Sequence, residues 1–287
     1  MKAGEVRPAG TDDVDSICRL LHEQMNRKLS PDRWRRLMTY RWIAEKPDLG
    51  RVAVVEGRVV GYVGMVYADR RLAGRRHRIV NICAWYLDKA HRGLGLGLEL
   101  MRSATADPET TYTNLTSSSR TLSLLDRVGF RVLDLERRLW TVQGTPARLD
   151  IERDEEKILK RCEAEGAKML RDHVGLPICP ILITAGMESC LAVFSVKTKG
   201  DDETYFDVLH LSNPRFFAVH AQAIADRLLP RNERAVLAAD TRLLMGRPQG
   251  GTIRPMPVPR FFKSSRLKAA EIDNMYSELQ LLDLKLD

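Results

Sequence analysis

Cysteine is sparse and unpatterned: the five (Cys18, Cys83, Cys162, Cys179, Cys190) are an odd, scattered set with no Cys-x-x-Cys. That argues against a disulfide framework and against a zinc site. The histidines show no His-x-x-x-His and no glutamate-linked ligand spacing, so no metal is expected. No apolar run is long enough to span a bilayer, and the opening Met-Lys-Ala-Gly-Glu-Val-Arg-Pro lacks the apolar core of a signal peptide. The expectation is a cytoplasmic protein with no membrane partner. Aromatics are only 6%, and the basic residues form no tail and no recognition-helix pattern, so the formal charge of +8 does not lead to nucleic acid. It suits a smaller anionic ligand.

What is present is enough chain for two domains: 287 residues, 44% hydrophobic and 29% charged. The stretch that organises it is Asn81-Ile-Cys-Ala-Trp-Tyr-Leu-Asp-Lys-Ala-His-Arg-Gly-Leu-Gly-Leu-Gly-Leu98. The apolar run from Ile79 to Leu87 reads as a buried strand, and Arg92-Gly-Leu-Gly-Leu-Gly97 opens a helical run through Glu99, Leu100, Met101 and Arg102. The first N–H groups of a helix lack intrahelical partners and sit at the positive end of its dipole, so they can cradle a phosphate or pyrophosphate. Gly93, Gly95 and Gly97 let the backbone approach such an anion closely. A dinucleotide fingerprint would need glycine at position 98 or 100, which are Leu98 and Leu100. A phosphate loop would need Gly-Lys-Ser/Thr, and there is none.

The pattern Arg/Gln-x-x-Gly-x-Gly/Ala, met by Arg92, Gly95 and Gly97 directly after an apolar strand, resembles the acyl-CoA site of the GNAT acyltransferase superfamily. A second motif supports it. In that family a helix ending in Gly-Phe follows about thirty residues later, and Ser118-Ser-Arg-Thr-Leu-Ser-Leu-Leu-Asp-Arg-Val-Gly-Phe130 fits without a gap. The resemblance covers roughly Met1 to Gln143 and implies an α/β fold on a mixed sheet. It implies acyl-CoA, in the simplest case acetyl-CoA, as co-substrate, bound by Arg92, Gly93, Leu94, Gly95, Leu96 and Gly97. It further implies two splayed strands, Ile79–Leu87 and Thr110–Thr116, with the pantetheine arm bonded to the first near Trp85 to Leu87.

The chain in order agrees with such a fold. Glu5 begins a strand, Thr11-Asp12-Asp13 is a helix N-cap cluster, and Val14, Ile17, Leu20, Leu21 and Met25 share one helical face. Pro31 starts a second helix with Trp34, Leu37, Met38 and Trp42 inward. The resemblance makes Arg33, Trp34 and Tyr40 candidate substrate contacts, while core packing alone accounts for the two tryptophans. Arg51 to Tyr67 reads as a hairpin turning at Glu56-Gly57, with Gly61 and Gly64 marking a bulge or close approach. Arg70, Arg71, Arg75, Arg76 and Arg78 flank another turn at Ala73-Gly74 and read as a solvated hairpin end.

Gly144-Thr-Pro-Ala147 reads as a linker between a catalytic domain, 1–147, and a second domain, 148–287. The second opens with a charged helix, Glu152 to Asp172, then a hairpin turning at Gly186, a strand Thr204–Leu211, a helix Pro214–Leu229, and strands Ala235–Ala239 and Thr252–Phe262. The order of elements repeats the first half, so the fold reads as duplicated. Leu211-Ser-Asn-Pro-Arg-Phe-Phe217 replaces the glycine turn and offers no cradle, making the second copy a degenerate, non-binding scaffold. A final helix, Ala269 to Leu284, is expected to pack through Met275, Leu279 and Leu282 on this half or on another copy in a homodimer.

For chemistry, the family's usual proton donor, a tyrosine four residues before the Gly of Gly-Phe, falls on Leu125, and the only acid beside the central strand is Asp88 at its far end. Tyr86 and Ser118 are the substitute catalytic candidates. Ser118 also stands where the family's asparagine would bond pantetheine or thiolate, while an inward-facing strand tyrosine such as Tyr86 is more often a packed core residue. Cys83 reads as an inert small hydrophobe; Asn81 and Asn114, polar groups in apolar strands, need partners. The function that follows is acetyl transfer from acetyl-CoA to an amine of a small molecule by direct attack. Alternatives are a longer-chain N-acyl amino acid or sugar acyltransferase, and a non-catalytic acyl-CoA-binding regulator.

Overall fold

The computed structural model describes residues 4–72, 74–93, 95–144, 148–200 and 202–286. Two compact units emerge: one of 1–132, 260–268 and 276–284, the other of 133–259, 269–275 and 285–287. Most of the linker reading, at 145–147, and Ala73 of the second turn lie outside the described residues.

In the first unit β1 (Glu5–Pro8) leads through a turn at Thr11–Asp13 into α1 (Val14–Leu20), and Asp13 anchors that turn by accepting from Gly10 N–H (2.9 Å) and pairing with Arg7 (2.7 Å). Ser30 caps α2 (Pro31–Thr39) by accepting from Arg33 N–H, with Pro31 at the first helical position. β2 (Arg51–Val55) and β3 (Arg58–Leu72) form the expected hairpin, with Glu56 and Gly57 both at positive φ (50° and 77°). β4 (Arg75–Leu87), α3 (Leu96–Ala104), β5 (Thr111–Asn114) and α4 (Leu122–Arg127) follow. The strands lie in the order β1-β2-β3-β4-β5, antiparallel except for β4 and β5, which run parallel because α3 carries the chain back between them. Leu100, Met101 and Leu125, all fully buried, close one face of this sheet over Val80, Ile82 and Tyr112. Trp34 and Trp42 are buried as core, and Trp42 Nε1 donates to the Tyr67 carbonyl (2.8 Å).

The second unit repeats that order. After β6 (Arg131–Trp140), the repeat runs through β7 (Asp150–Glu152), α5 (Glu155–Arg161), α6 (Ala164–Asp172), β8 (Cys179–Ala185), β9 (Glu188–Lys199), β10 (Glu203–Leu211), α7 (Pro214–Leu228) and β11 (Ala235–Asp240), and β12 (Thr252–Lys263) follows, its last residues in the first unit. Here β10 and β11 are the parallel pair, joined by α7. The final strand of each half serves the other unit's sheet: Arg137–Trp140 pairs with β11, and Phe261–Lys263 pairs with β5. The fold is therefore a duplicated α/β mixed sheet.

Two sequence expectations are corrected. The single helix from Glu152 to Asp172 is two, because Cys162 and Glu163 are extended (ψ 159° and 158°). Buried Ile158 and Ala167 would point to opposite sides of one continuous helix, and the break lets both face inward. The final helix from Ala269 to Leu284 is also absent. It is replaced by one turn at Ala269–Glu271 and a short α8 (Glu278–Leu281), since Asp273 accepts from Met275 N–H (3.1 Å), Tyr276 takes φ +57° and Ser277 is extended. Leu279 and Leu282 are buried in the first unit, not the second.

The second unit holds a buried ion network. Arg137 bonds Asp207 and Asp240 (Nε to Oδ1, 3.2 Å), and Arg242 bonds Asp240 (2.9 Å) and Asp134 (3.1 Å). Lys199 also pairs with Asp207 (3.0 Å). Both Asp207 and Asp240 are fully buried. Removing one partner leaves buried charge uncompensated, so Arg137→Met should cost about 3–5 kcal/mol of unfolding free energy in urea titration. A cost below about 1 kcal/mol would show that the network is dispensable.

Candidate functional site

The site begins where β4 and β5 part. Their parallel ladder runs Ile79↔Thr111, Val80↔Tyr112, Asn81↔Thr113 and stops, while β4 continues to Leu87. Beyond that point β4 is bulged: β3 pairs Gly64 with Cys83 and then Tyr62 with Tyr86, so Ala84 and Trp85 oppose one residue. Ala84 sits in the left-handed region at φ +47°, uncommon for a residue with a Cβ. The two β3 glycines permit this. A Cβ on Gly64 would meet Cys83 Sγ at 2.8 Å, and one on Gly61 would meet Leu87 Cδ1 at 2.8 Å.

After the bulge, Trp85 and Leu87 face the α3 side and Tyr86 turns to the other, with the Arg92 guanidinium 5.5 Å from its ring centre. Arg92 Nε donates to the Leu87 carbonyl (2.9 Å), which ties the turn to the end of the strand. Gly93 and Gly95 both adopt positive φ (85° and 83°), and a Cβ on either would meet nothing within 4 Å. At both glycines the turn thus presents bare backbone. Gly95 caps α3 with no side chain, and the Leu96 and Gly97 amides are in its first turn, ahead of any intrahelical acceptor. The Leu96 side chain is buried in the core, so only its backbone can serve a ligand. Leu94 lies outside the described residues.

On the β5 side, Asn114 reaches across the opening: its Nδ2 donates to the Ile82 carbonyl (2.9 Å), and the Ser117 hydroxyl donates to its Oδ1. Ser118 follows, exposed, at the head of the Ser119–Thr121 turn. Tyr86 thus lies near the end of β4, and Ser118 lies four residues past the end of β5. Leu125 is fully buried in the core, so α4 presents no proton donor there. Cys83 is buried, and burial pushes its thiol well above the usual range.

Sequence reading missed one group, Glu278. Its N–H donates to Asn81 Oδ1 (3.0 Å) and its Oε1 accepts from Thr116 Oγ1 (2.7 Å). Asn81 in turn donates to Thr113 Oγ1 (3.3 Å). Both polar strand residues thus have their partners, and those of Asn81 hold the opening's inner end. A signal for α8 existed: Ser277-x-x-Gln280 is a capping box, and it starts a helix at Glu278. Arg33 pairs with Asp283 (3.0 Å), and the Tyr40 hydroxyl accepts from Tyr67 N–H (2.8 Å), so both are engaged within the unit.

The same place in the second unit is built differently. Asn213 caps α7 by accepting from Phe216 N–H (3.0 Å), Pro214 takes the first helical position, and Phe216 and Phe217 are buried.

Comparison with known proteins gives this geometry a family. Residues 14–110 match the model of the Acetyltransferase (GNAT) family. No curated protein matches the sequence. Solved structures share the fold. The GCN5-related N-acetyltransferase from Anabaena variabilis superposes with TM-score 0.54 at 12% identity, covering 91% of this chain and 72% of its own. The GCN5-related N-acetyltransferase from Kribbella flavida gives 0.54 at 13%, covering 91% and 70%. A conserved protein of Enterococcus faecalis gives 0.55 at 12%, covering 93% and 74%. The parallel pair that parts over a bulge and the bare glycine turn lie within residues 14–110, the stretch that matches the GNAT acetyltransferase family, and the solved structures share the fold.

Proposed function

We propose that the chain is a cytoplasmic acyl-CoA-dependent N-acetyltransferase that moves an acetyl group from acetyl-CoA to the amine of a small molecule by direct attack. The observation that carries this reading is the open glycine turn beside the strand opening. Gly93 and Gly95 leave open space where a side chain would project, and the Leu96 and Gly97 amides lie in the first turn of α3, at the positive end of its dipole. When bound, the acyl-CoA supplies the thioester and a pyrophosphate for that cradle. The backbone of Trp85 to Leu87, past the bulge and beyond the reach of β5, bonds the pantetheine arm as a strand would. Arg92 fixes the turn against Leu87 and adds positive charge beside the cradle.

Tyr86 and Ser118 serve the thiolate: Tyr86 as proton donor, Ser118 as a hydrogen-bond donor. The second unit acts as a scaffold. Its helix start is capped by Asn213, and the inner end of its strand pair is filled by the Arg137–Asp207–Asp240 network.

Gly97→Val tests the cradle, because position 97 is helical and a Cβ there meets only Leu87 Cδ2 at 3.6 Å, so the fold tolerates a branch. Calorimetry should show acetyl-CoA binding weakened at least about 100-fold, roughly 2.7 kcal/mol, with the melting temperature nearly unchanged. Unaltered affinity would sink the assignment.

Tyr86→Phe is expected to lower kcat about 100-fold with little change in KM for acetyl-CoA, the signature of a proton donor acting only in the transition state. Turnover equal to wild type would return Tyr86 to a packing role. The broader reading is checked by CoA release across a panel of amines. Acetyl-CoA that binds without release from any amine would mark a regulator.

A further inference from the structure

The group that closes the inner end of the strand opening is an acid with half its carboxylate unused. Glu278 is 1% exposed, and its Oε2 has no hydrogen-bond partner. Asn81 is the last β4 residue paired with β5, and Thr116 stands just past the end of β5; the Glu278 backbone N–H bonds the first and its carboxylate the second, which sets the residue at the fork. Thr116's hydrogen bond by itself calls for no ionisation, and the buried charge nearby, Arg260, donates to the Leu115 carbonyl (3.3 Å). Glutamine would accept Thr116's hydrogen bond through its carbonyl oxygen and would spare the fold a buried charge.

We propose that Glu278 is the proton acceptor for the substrate amine, a catalytic residue delivered to the fork by the C-terminal segment instead of by β4. This rests on the acetyl-transfer reading. The acceptor's ammonium gives one proton to Glu278 Oε2, and the freed lone pair forms the C–N bond with the thioester carbonyl carbon. The C–S bond breaks, and sulfur leaves with the bonding pair and takes up one proton. The nitrogen gives up two protons in all, one balancing the thiolate and one held by Glu278 and returned to solvent.

The surroundings suit this work. Burial pushes the Glu278 carboxyl up to about 7, outweighing Thr116's hydrogen bond, the positive charge of Arg260 on β12, and Asn81. On β4 the facing group is Cys83, whose thiol is driven upward by burial and by Glu278's own charge, away from neutral pH. On α2, Arg33 is taken by Asp283 (3.0 Å), and Arg70 of β3 lies over the Tyr276 ring (5.0 Å). A base that titrates near the working pH combines the right protonation state with adequate driving force.

The test compares wild type with Glu278→Gln and Glu278→Asp. Glu278→Gln should bind acetyl-CoA as wild type does by calorimetry, while kcat/KM for the amine falls about 100-fold and the acidic limb of the pH profile near pH 7 disappears. Glu278→Asp should recover part of the rate and keep a limb. A carboxyl raised above its unfolded value stabilises the fold fully below that value, and the contribution is lost as pH rises through the folded one. Glu278→Gln should therefore melt above wild type at about pH 8 and level with it at about pH 5. Glutamine that leaves turnover and its pH profile unchanged overturns the role. So does a loss of rate matched by equal loss of acetyl-CoA affinity, or by a lower melting temperature at every pH. Wild type that releases no CoA from any amine defeats the acetyl-transfer reading itself, and this role with it. Wild type that turns over while Glu278→Gln keeps pace defeats the role alone.

Discussion

The structure turns on an unfinished ladder. A buried strand must place every N–H and C=O on a partner, and β4 loses β5 halfway along its length. The solutions are local and specific. Asn114 extends β5 by one side-chain bond to the Ile82 carbonyl and Arg92 reaches back to the Leu87 carbonyl, while the Asn81 side chain accepts from Glu278 N–H. The second unit faces the same problem where β10 leaves β11 after Asp207, and it answers with protein throughout. There Asn274 N–H donates to the carbonyl of Leu209 (2.9 Å), at the β10 irregularity between Val208 and His210, and its side chain bonds Asp240 (2.9 Å). One opening is thus closed by an ion network, while the other keeps a strand end beside an uncapped glycine turn.

Steric allowances on the neighbouring strand make the first solution possible. Ala84 at positive φ is an energetic cost of order 1–3 kcal/mol, and such a residue persists only where its surroundings over-determine it. They do so here. Gly61 and Gly64 let β3 follow the bulge at distances no Cβ would tolerate, and Leu87 then packs beneath α3. The glycines of β3 and those of the turn serve one geometry from two sides: the former bend the strand, and the latter bare the helix start it leads to.

Much of this was legible in the sequence because the informative residues are conformational ones. The Glu56-Gly57 turn, Pro31 at a helix start, Gly61 and Gly64 inside a strand, and the glycine turn after Leu87 each have a local physical meaning, and the structure realises it. The repeat of strand, helix, strand in the second half was legible from order alone, though not that the two strands pair in parallel. The ends of the chain were not. The apolar spacing of Met275, Leu279 and Leu282 imitates one face of a helix, yet Asp273's turn, Tyr276 and the Ser277 cap break it. Those are short-range hydrogen bonds competing with helix, and periodicity does not register them. The network around Arg137 and the setting of Glu278 were equally hidden, because they join residues distant in sequence.

The placement of an acid on the C-terminal segment follows from how fully β4 is committed at the fork. Asn81 is held by Thr113 and by Glu278 N–H, so its side chain is spent on fixing the strands and the segment. Cys83 lies against Gly64, where the room for a larger side chain has been given to the approach of β3. Ala84 occupies a backbone conformation that penalises bulk. Ile82 and Trp85 face the core under α3 and α4. These β4 positions are thus committed to the geometry of the fork, and the carboxylate that does stand there, Glu278, is carried by the segment from Tyr276 to Leu284 that belongs to the first unit.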